Sequence, residues 1–576
     1  MRDEQKRARG KRRRFPVIML CAALFLGVCA GAVWVYLFMP NWKQVSPYDM
    51  NIGIKKDQVN IVFNDALIDA PAAPFENKNG VVYIPADFIK QYVDPYIFWD
   101  DKEQWLTVTA AGSVKQFRAG DASYLDNGGH TPLDAPVLAE DGRAYLPQDL
   151  AQKLYPMTMR LDKTYNMLII DSTDKDRQTA PLLKKGEARY AADIKSPVAE
   201  KLNAGDAVAV LGREKDFTRV RLNDGLFGYV KTDLLGAAQT AAATGRPPNQ
   251  TSPPLPRSTA INMLWDQVFL PKDNAAGWRK TIPPGVNVVS PTWFLFDHDK
   301  MDGSIISIAD KDYADNAHAA GCKVWPLIAD ETSDIAHALL SSTAARQQII
   351  AQIMGFISAY DLDGLNIDFE KVQPADALYY QQFLRELKPL MSAEGAVLSV
   401  DLYVPQFTQY YGRADIAKTV DYACVMAYDE HTLSDGAGPV GSIGFVDKGV
   451  SDTLQDIPRQ KVILGIPFYE RLWREEPGAD PELSLSNMSM TAAAKLLKDN
   501  NAQLTWDPEL GYNYAAFSDK ENGDGVNYRI WLEDAESIGL KIGVASKYAL
   551  AGTAAWKFGL ETDDIWPVVE GFEFQP

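Results

Sequence analysis

Apolar residues follow four different patterns along the chain. Residues 17–38 form an uninterrupted, uncharged and mainly apolar run, which as a helix is long enough to span a hydrocarbon core. Short strand and helix patterns alternate over 57–172, whereas polar and apolar residues alternate with period two over 180–236, with Gly and Asp at the turns. From residue 259, apolar strand runs alternate with helical stretches. The chain therefore predicts several domains in series.

The C-terminal region, 259–576, predicts a (β/α)₈ TIM barrel, and the fold class is α/β. Eight apolar runs separated by helical patterns fit this barrel, whose active sites lie at the carboxyl ends of the strands. A long gap before the last run contains further strand patterns and predicts a small α+β insertion beside a cleft. The predicted strands are 261–265, 286–290, 324–328, 364–369, 397–402, 422–426, 462–466 and 552–556.

The N-terminus predicts a membrane anchor. Residues 1–16 form a basic tail, in which the first 14 positions hold eight basic and two acidic side chains. Basic residues before an apolar span place the N-terminus in the cytoplasm. We therefore predict a transmembrane signal anchor at 17–38 and a bacterial membrane protein whose C-terminal body is extracytoplasmic. A cleaved signal peptide is the alternative, although the apolar run is longer than usual for one.

Residues 57–172 contain an apparent internal repeat. The hexapeptide YIPADF at 83–88 corresponds to YLPQDL at 145–150, and each copy predicts a strand, a short helix and a strand. This α+β repeat module resembles the N-terminal module of copper amine oxidases. Copper is not implied, because the segment has one histidine, His130, and no cysteine. We interpret it as a wall- or glycan-proximal binding module, with an inert spacer as the alternative.

Residues 180–236 predict a small all-β barrel that resembles bacterial SH3-type domains. The strands are short and alternating, and the last contains Gly228, Tyr229 and Val230. Residues 237–258 are rich in Ala, Thr, Pro, Gln and Asn and contain almost no large apolar residue. Such a segment cannot bury enough surface to fold, so it predicts a linker before the barrel.

Charge excludes one class of partner. The chain has 58 basic and 76 acidic side chains, a net charge of −18, and beyond residue 14 the 50 basic and 74 acidic side chains leave −24. A body this acidic is a poor partner for phosphate backbones, so nucleic-acid binding is not expected. The five scattered histidines include no His-Glu-x-x-His motif, so no metal or other cofactor is predicted.

The predicted catalytic residues lie in the sequence DGLNIDFE at 363–370. On a strand, Asn366, Asp368 and Glu370 face one side, which in a barrel is the lumen, and the apolar residues between them face the helices. An inward row of carboxylates is expensive as pure structure. The same row favours protonation of Glu370 beside Asp368, as a general acid requires near neutral pH.

At these residues the chain resembles glycoside hydrolase family 18. The family motif is Asp-Gly-x-x-x-Asp-x-Glu, and two further landmarks occur in order, MAYD at 426–429 and Trp556 on the last strand. The resemblance covers about 260–565 and is closest to the spore-germination and cortex-lytic branch. That branch acts on peptidoglycan-type glycans.

The resemblance implies a role for each matching residue. Glu370 protonates the glycosidic oxygen and later activates water, while the substrate's own acetamido group is the nucleophile. Asp368 binds the acetamido N–H and Tyr428 donates to the acetamido oxygen. The residues expected to bind or surround the sugar are Asn366, Met426, Asp429, Tyr469, Trp293 and Trp556. Tyr469 and Trp293 are equally consistent with core packing.

Asn366 departs from the usual family pattern, which has another Asp there. We expect Asp368 to lose a partner for sharing a proton and to gain a neutral hydrogen-bond donor. The predicted function is a membrane-anchored extracytoplasmic retaining glycosidase that cuts next to N-acetylglucosamine in peptidoglycan or chitin-like glycans. Its partners are an N-acetylated cell-wall glycan and the membrane. The alternative is a non-hydrolytic glycan-binding protein or scaffold.

Overall fold

The computed structural model describes residues 4–246, 251–256, 259–275, 281–476, 482–519 and 525–572. Parts of the predicted basic tail and linker therefore lie outside the described residues. The chain divides into two compact units, residues 1–95 with 143–247 and residues 96–142 with 248–576. Each unit is described by itself.

Over residues 4–246, all of which the structure describes, there are three α-helices and twenty strands. The helices are α1 (Glu4–Phe38), α2 (Ala86–Tyr92) and α3 (Gln148–Leu154). The strands are β1 (Asn60–Phe63), β2 (Ala66–Ile68), β3 (Phe75–Glu76), β4 (Val82–Pro85), β5 (Phe98–Asp100), β6 (Trp105–Ala110), β7 (Ser113–Arg118), β8 (Ser123–Asp126), β9 (Gly129–Pro132), β10 (Leu138–Glu140), β11 (Arg143–Pro147), β12 (Met157–Asp162), β13 (Met167–Ser172), β14 (Arg177–Pro181), β15 (Gly186–Arg189), β16 (Val198–Leu202), β17 (Ala207–Glu214), β18 (Phe217–Arg221), β19 (Phe227–Lys231) and β20 (Gln239–Ala241).

In the first unit, α1 contains a segment, Met19–Phe38, that is long and apolar enough to cross a membrane by length and composition. The strands β4 and β11 precede the short helices α2 and α3, and they pair antiparallel, with Tyr83 opposite Pro147 and Pro85 opposite Tyr145. The internal repeat itself stays a prediction. Strands β14 to β20 form one seven-stranded sheet, and its assignment to the SH3 type also stays a prediction.

From residue 259 the second unit continues with nine helices and sixteen strands in the described residues. The helices are α4 (Lys311–Ala319), α5 (Ser333–Ser341), α6 (Thr343–Tyr360), α7 (Ala377–Ala393), α8 (Arg413–Thr419), α9 (Ile443–Thr453), α10 (Met490–Asp499), α11 (Ala535–Lys547) and α12 (Trp566–Glu570). The strands are β21 (Ile261–Asp266), β22 (Val288–Pro291), β23 (Phe294–Phe296), β24 (Ile305–Ser307), β25 (Lys323–Val324), β26 (Leu327–Ala329), β27 (Gly364–Asp368), β28 (Val397–Tyr403), β29 (Tyr422–Met426), β30 (Val462–Pro467), β31 (Tyr469–Glu475), β32 (Leu483–Ser489), β33 (Thr505–Asp507), β34 (Tyr512–Asp519), β35 (Val526–Leu532) and β36 (Gly552–Trp556).

Eight parallel strand positions close into a barrel. Strand β21 pairs with both β22 and β36, and β36 pairs with β30, which joins the first strand to the last. The second strand is divided into β22 and β23 and the third into β25 and β26, and the halves pair separately. All eight predicted strands are present, with ends that differ from the prediction by at most two residues. The (β/α)₈ prediction is therefore confirmed for this region.

The alternation predicted for the fourth barrel strand is also present. Leu365, Ile367 and Phe369 are buried in the apolar layer between the strands and the surrounding helices. Asn366 contacts Ser399 and Asp401 of the next strand on the lumen side. Because side chains alternate along β27, Asp368 and Glu370 follow Asn366 into the barrel mouth.

The predicted insertion lies between the last two barrel strands. It is a five-stranded antiparallel sheet in the order β32-β31-β35-β34-β33, and α10 follows β32. Leu472, Ile530 and Ala493 pack in its own small core. Its first strand, β31, begins two residues after β30 ends, so it carries Tyr469 and Arg471 directly from the barrel rim.

Residues 96–142, which lie inside the range predicted for the repeat module, pack on the barrel instead. The Asp100 carboxylate accepts hydrogen bonds from Thr343 N and Oγ1, at 3.2 and 2.7 Å. Glu103 accepts from Ala344 N at 2.7 Å and from the Ser342 hydroxyl at 2.5 Å. Carboxylates at the first turn of α6 satisfy free N–H groups and complement the helix dipole.

Candidate active site

A cavity of about 820 Å³ lies at the carboxyl ends of the barrel strands. This volume falls within the range typical of small-ligand sites. Catalytic and ligand-binding residues of TIM barrels come from this face. The side chains that line it are Trp265, Gln267, Ala329, Asp330, Asp368, Glu370, Asp401, Tyr403, Met426, Tyr428, Asp429, Tyr469, Arg471, Asn487, Met488, Ser489, Trp556, Lys557, Gly559 and Leu560.

Glu370 is held in the cavity by groups from three strands. The Tyr403 hydroxyl donates to Glu370 Oε2 at 2.9 Å, and the Lys371 ammonium lies 3.5 Å from the same oxygen. The backbone N–H of Glu370 donates to Asp330 Oδ1 at 2.7 Å, and that of Lys371 donates to Asp330 Oδ2 at 2.9 Å. Asp330 therefore fixes the backbone that carries Glu370, while Tyr403 orients its carboxylate.

Three further carboxyl groups surround this position, and all have a raised pKa. Burial raises the pKa of Asp368 well above its usual value, and the charges of Asp401, Glu370 and Asp330 add to that effect. Burial also raises the pKa of Asp401, although the hydrogen bond from Asn366 opposes it. For Asp330, burial raises the pKa to about 7 against the two backbone N–H donors. The cavity therefore favours protonated carboxyl groups near neutral pH.

Asn366 faces the barrel interior, as the sequence predicted, but it does not line the cavity. It is fully buried, it is not among the residues lining the cavity, and its amide donates to Asp401 Oδ2 at 2.5 Å. The Ser399 hydroxyl donates to Asn366 Oδ1 at 2.7 Å. The oxygen and the nitrogen of the Asn366 amide are thus both hydrogen-bonded inside the barrel. The expectations that Asn366 binds sugar and donates to Asp368 are corrected, because the amide is spent on Asp401.

Tyr428, Asp429 and Tyr469 lie together in the cavity wall. The rings of Tyr428 and Tyr469 meet edge to face at 6.3 Å between centroids. The Tyr469 hydroxyl and the Arg471 guanidinium both donate to Asp429 Oδ1. Asp429 has φ of +61°, a left-handed conformation that is uncommon for a residue other than glycine. These donors hold its side chain at the rim despite that backbone geometry.

The aromatic residues divide into two groups. Trp556 and Met426 line the cavity, and Trp556 packs edge to face against Trp265 at 6.1 Å. Trp293 instead is fully buried in the outer apolar core, where its indole N–H donates to Asn274 Oδ1 at 2.8 Å. The structure therefore does not bring Trp293 to the cavity, and its buried ring offers no face to a sugar. For Trp293 the core-packing alternative fits.

Of the cavity residues that the sequence analysis missed, four contact a predicted site residue: Asp330, Asp401, Tyr403 and Arg471. A signal existed for two of them, because alternation in the fifth strand, β28, places Asp401 and Tyr403 on the same side as Ser399. Asp330 is a single Asp after a short strand, which sequence cannot distinguish from an ordinary turn residue. Arg471 follows Tyr469 by two residues in β31, so it faces the same side.

Comparison with known proteins finds two matching families. Residues 301–561 match the family described as "Glycosyl hydrolases family 18", and residues 62–170 match "Copper amine oxidase N-terminal domain". The resemblances to these two families are confirmed. The second match does not imply a bound copper ion, since residues 62–170 contain one histidine, His130, and no cysteine as ligands.

Three of the curated relatives come from Bacillus subtilis. The "Cortical fragment-lytic enzyme" is 25% identical over 244 residues, which is 41% of this chain and 55% of that protein. The "Uncharacterized glycosylase YvbX" is 25% identical over 300 residues, 49% of this chain and 84% of that protein. YdhD is 28% identical over 238 residues, 40% of this chain and 54% of YdhD. The chain thus spans about half the length of YdhD and of the cortical fragment-lytic enzyme.

Among solved structures, the spore cortex-lytic enzyme SleL of Bacillus cereus aligns with a TM-score of 0.48 at 22% identity, over 56% of this chain and 77% of SleL. The barrel fold of the present chain follows from its own strand pairing. The family match and the curated relatives support a glycoside hydrolase domain of family 18 in the C-terminal part of the chain.

Proposed function

We propose that this protein is a membrane-anchored extracytoplasmic retaining glycosidase, which hydrolyses bonds next to N-acetylglucosamine in peptidoglycan or chitin-like glycans. The observation that carries the proposal is the meeting of Glu370 and Asp368 in one cavity, with Tyr428 and Trp556 in its wall. Glu370 is partly exposed to that cavity and oriented by Tyr403, as a group that exchanges protons with substrate must be.

In this proposal Glu370 is the general acid and then the general base. It donates its proton to the glycosidic oxygen as the bond to the leaving sugar breaks. In the second step it takes a proton from the water that attacks the anomeric carbon, which restores the protonated carboxyl. Family 18 enzymes are exceptions to the scheme with an enzyme nucleophile, so the substrate's acetamido oxygen forms the intermediate bond.

The remaining cavity residues serve that acetamido group and the sugar ring. Asp368 accepts from the acetamido N–H and stabilises the positive charge of the cyclic intermediate, while the Tyr428 hydroxyl donates to the acetamido oxygen. Asp429, fixed by Tyr469 and Arg471, holds a sugar hydroxyl at the rim. Trp556 and Met426 provide the apolar floor, since a flat aromatic face suits sugar C–H groups. These roles require an N-acetylated sugar at the cleavage position.

Peptidoglycan is the favoured substrate. The cortical fragment-lytic enzyme is similar over 41% of this chain, and its name describes the lysis of cortical fragments. The "Chitinase 1" of Aphanocladium album is 26% identical over 167 residues, which keeps chitin-like oligomers as the second substrate class. The predicted anchor would place the barrel next to a bacterial wall, where peptidoglycan is the abundant N-acetylated polymer.

The accessory regions support the same location. We assign the apolar helix α1 as the anchor, residues 57–172 as a wall- or glycan-proximal module, of which residues 96–142 pack on the barrel, and residues 180–236 as an SH3-like domain. The predicted linker 237–258 is shortened at its start, because β20 pairs with β14. The match over 62–170 supports the second of these assignments. The net charge of −24 beyond residue 14 argues that wall attachment depends on specific glycan contacts, because an anionic wall repels an acidic body.

The test compares the wild-type protein with Glu370→Gln on purified peptidoglycan. We expect wild type to release reducing ends and Glu370→Gln to lose at least about 100-fold of that rate, since general acid catalysis contributes about 10²–10⁴-fold. Glu394→Gln is the matched control, because Glu394 is an exposed residue after α7 and the substitution removes the same charge. Mass spectrometry of the products from a defined muropeptide identifies the bond that is cut.

The same experiment tests the alternative of a non-hydrolytic wall-binding protein. If wild type and Glu370→Gln bind peptidoglycan equally and neither releases reducing ends above the rate without protein, the enzyme proposal is wrong. If chitin oligomers are cut and peptidoglycan is not, the glycosidase assignment stands and the preferred substrate changes.

A further inference from the structure

Asp401 is a cross-strand neighbour of Asp368. Strands β27 and β28 are parallel and in register, with Asn366 opposite Ser399 and Ile367 opposite Val400. The same register places Asp368 beside Asp401, on strands that are about 4.8 Å apart. Both side chains line the cavity. Two carboxyl groups therefore stand next to each other in the barrel mouth.

Each of these two carboxyl groups has a buried oxygen that makes no hydrogen bond of normal geometry. Among the described residues these atoms are Asp368 Oδ1 and Asp401 Oδ1, although Cys424 and Trp265 approach the Asp401 carboxyl and lower its pKa. An unpaired buried oxygen of this kind costs about 1–3 kcal/mol, and more when the group is charged. A proton held between the two carboxyl groups would provide each of these oxygens with a partner.

The other oxygen of Asp401 is already used. Asn366 Nδ2 donates to Asp401 Oδ2 at 2.5 Å, and Asn366 is in turn held by the Ser399 hydroxyl. An amide can donate to Asp401 but cannot take up or release a proton there. Asn366 thus fixes the rotation of the Asp401 carboxyl and leaves Oδ1 for Asp368.

We propose that Asp401 is the proton partner of Asp368, and that the two carboxyl groups hold one proton between them in the resting site. This inference rests on the glycosidase proposal and adds a positioning residue that acts through Asp368. When the acetamido N–H of the substrate approaches, the proton passes from Asp368 to Asp401, and Asp368 becomes the carboxylate that the positive intermediate requires. The pair keeps a charge of −1 throughout, so no proton enters or leaves the cavity in this step.

The surroundings of the pair favour one retained proton. The groups that face Asp401 from neighbouring elements are Asp368 and Glu370 of the fourth strand, Cys424 and Tyr428 of the sixth, Trp265 of the first and Tyr380 of α7. Asp330 and Lys371 act on Asp368 from its other side. Burial among these mainly acidic groups raises the pKa of both Asp368 and Asp401. Two like charges at this spacing cannot both ionise easily.

The first test is the pH dependence of hydrolysis by Asp401→Asn. Two carboxyl groups that share a proton reach the singly ionised state at a lower pH than an isolated buried carboxyl group ionises. The reason is that the remaining O–H group stabilises the carboxylate. We therefore expect the acid limb of kcat/KM in Asp401→Asn to move to higher pH by about one unit. We also expect kcat to fall about 10-fold or more, with KM changed by less than about threefold, because Asp401 acts on the transition state through Asp368.

Ser399→Ala is the matched control for that test. It removes the other contact of Asn366 without removing a titratable group. A structural disturbance of this network lowers activity by the same factor at every pH, so its acid limb should stay at the wild-type position. If the acid limb of Asp401→Asn also stays there, the proposal is wrong.

A second measurement does not depend on activity. The free energy of unfolding, followed between pH 7 and 9, reports the protons that the folded state retains and the unfolded state has lost. If the proton is shared, the free energy of unfolding of wild type falls with rising pH more steeply than that of Asp401→Asn. The difference between the two slopes should correspond to about one proton. Asp368→Asn should show the same loss of slope, and it provides the test if Asp401→Asn does not fold. Equal slopes in wild type and the variants would refute the shared proton even if the enzyme is active.

Discussion

The aspartates at the two ends of the fourth barrel strand have opposite pKa shifts. Asp363 lies just before β27, at the amino end, where Lys323 Nζ and His318 Nε2 lie 2.6 and 2.8 Å from its oxygens and Val324 N donates at 3.0 Å. Burial alone would raise the pKa of Asp363, but these partners outweigh it and lower the pKa. At the carboxyl end, the pKa of Asp368 is raised by burial and by neighbouring carboxylates.

Asp363 and Asp368 are five residues apart, yet the first serves stability and the second serves chemistry. At the amino end, the charge of Asp363 is compensated by its partners. This stabilises the barrel and leaves Asp363 no role with a substrate. At the carboxyl end, carboxyl groups are gathered with unsatisfied oxygens, which costs stability and creates groups ready to exchange protons. This is the division expected of a TIM barrel, in which the carboxyl face is catalytic and the amino face is structural.

The largest effect that separates the two ends is expected for Asp368→Asn. We expect hydrolysis to fall about 1,000-fold, because an amide cannot neutralise the positive intermediate. The unfolding midpoint at pH 8 should stay unchanged or rise, since an amide, unlike the carboxyl group, is neutral without retaining a proton. Initial rates and thermal unfolding measure the two quantities.

Asp363→Asn is the control for that substitution. It removes a carboxylate from the same strand, and we expect kcat/KM of the folded protein to stay within about twofold of wild type. Equal losses of activity in Asp368→Asn and Asp363→Asn would abolish the distinction between the two ends.

The next effect concerns Asp330, whose pKa burial raises to about 7. A raised folded-state pKa means that the associated stability is fully present below the unfolded value near pH 4 and is lost as pH rises to about 7. The shift of about three units corresponds to about 4 kcal/mol at most. Asp330→Asn should not show this loss, because its amide oxygen can still accept from Glu370 N without titrating.

Denaturant unfolding of wild type and Asp330→Asn at pH 4 and pH 8 measures this effect. The stability of wild type relative to the variant should decline between the two values. A constant difference would mean that Asp330 is ionised throughout and that the carboxyl end is better compensated than its contacts indicate.

Sequence was sufficient for the barrel and for the motif, and the reason is physical. Parallel strands buried on both faces appear as apolar runs, so all eight could be located, and alternation along β27 put Asp368 and Glu370 in the lumen. Three landmarks in order then indicated the family. This information is local in sequence, which is why it could be recovered without coordinates.

The partners of those residues depend on contacts between strands, and these were not predicted. Asn366 was expected to donate to Asp368, yet its amide donates to Asp401 on the next strand. Trp293 and Trp265 are both aromatic residues of early barrel strands, but only Trp265 reaches the cavity. The break between β22 and β23 turns Trp293 outward into the core. Register and strand breaks are set by tertiary packing.

The smallest effect tests the amino end directly. Asp363→Asn should cost about 1–2 kcal/mol of unfolding free energy at pH 7, because charge-assisted hydrogen bonds are lost and the Val324 N–H keeps a neutral acceptor. Exposure of Lys323, at 62%, limits the share that its ion pair contributes. Lys323→Gln should therefore cost only about 0.5 kcal/mol.

The pH dependence of that cost has a definite sign. A lowered pKa stabilises the fold above the unfolded value near pH 4, and this stability is lost as pH falls further. Wild type and Asp363→Asn should therefore converge in unfolding free energy towards pH 2.5, the opposite direction from Asp330. If the difference in unfolding free energy is as large at pH 2.5 as at pH 7, Asp363 stabilises the fold through its shape and not through its charge. The contrast with Asp368 then concerns the cavity alone.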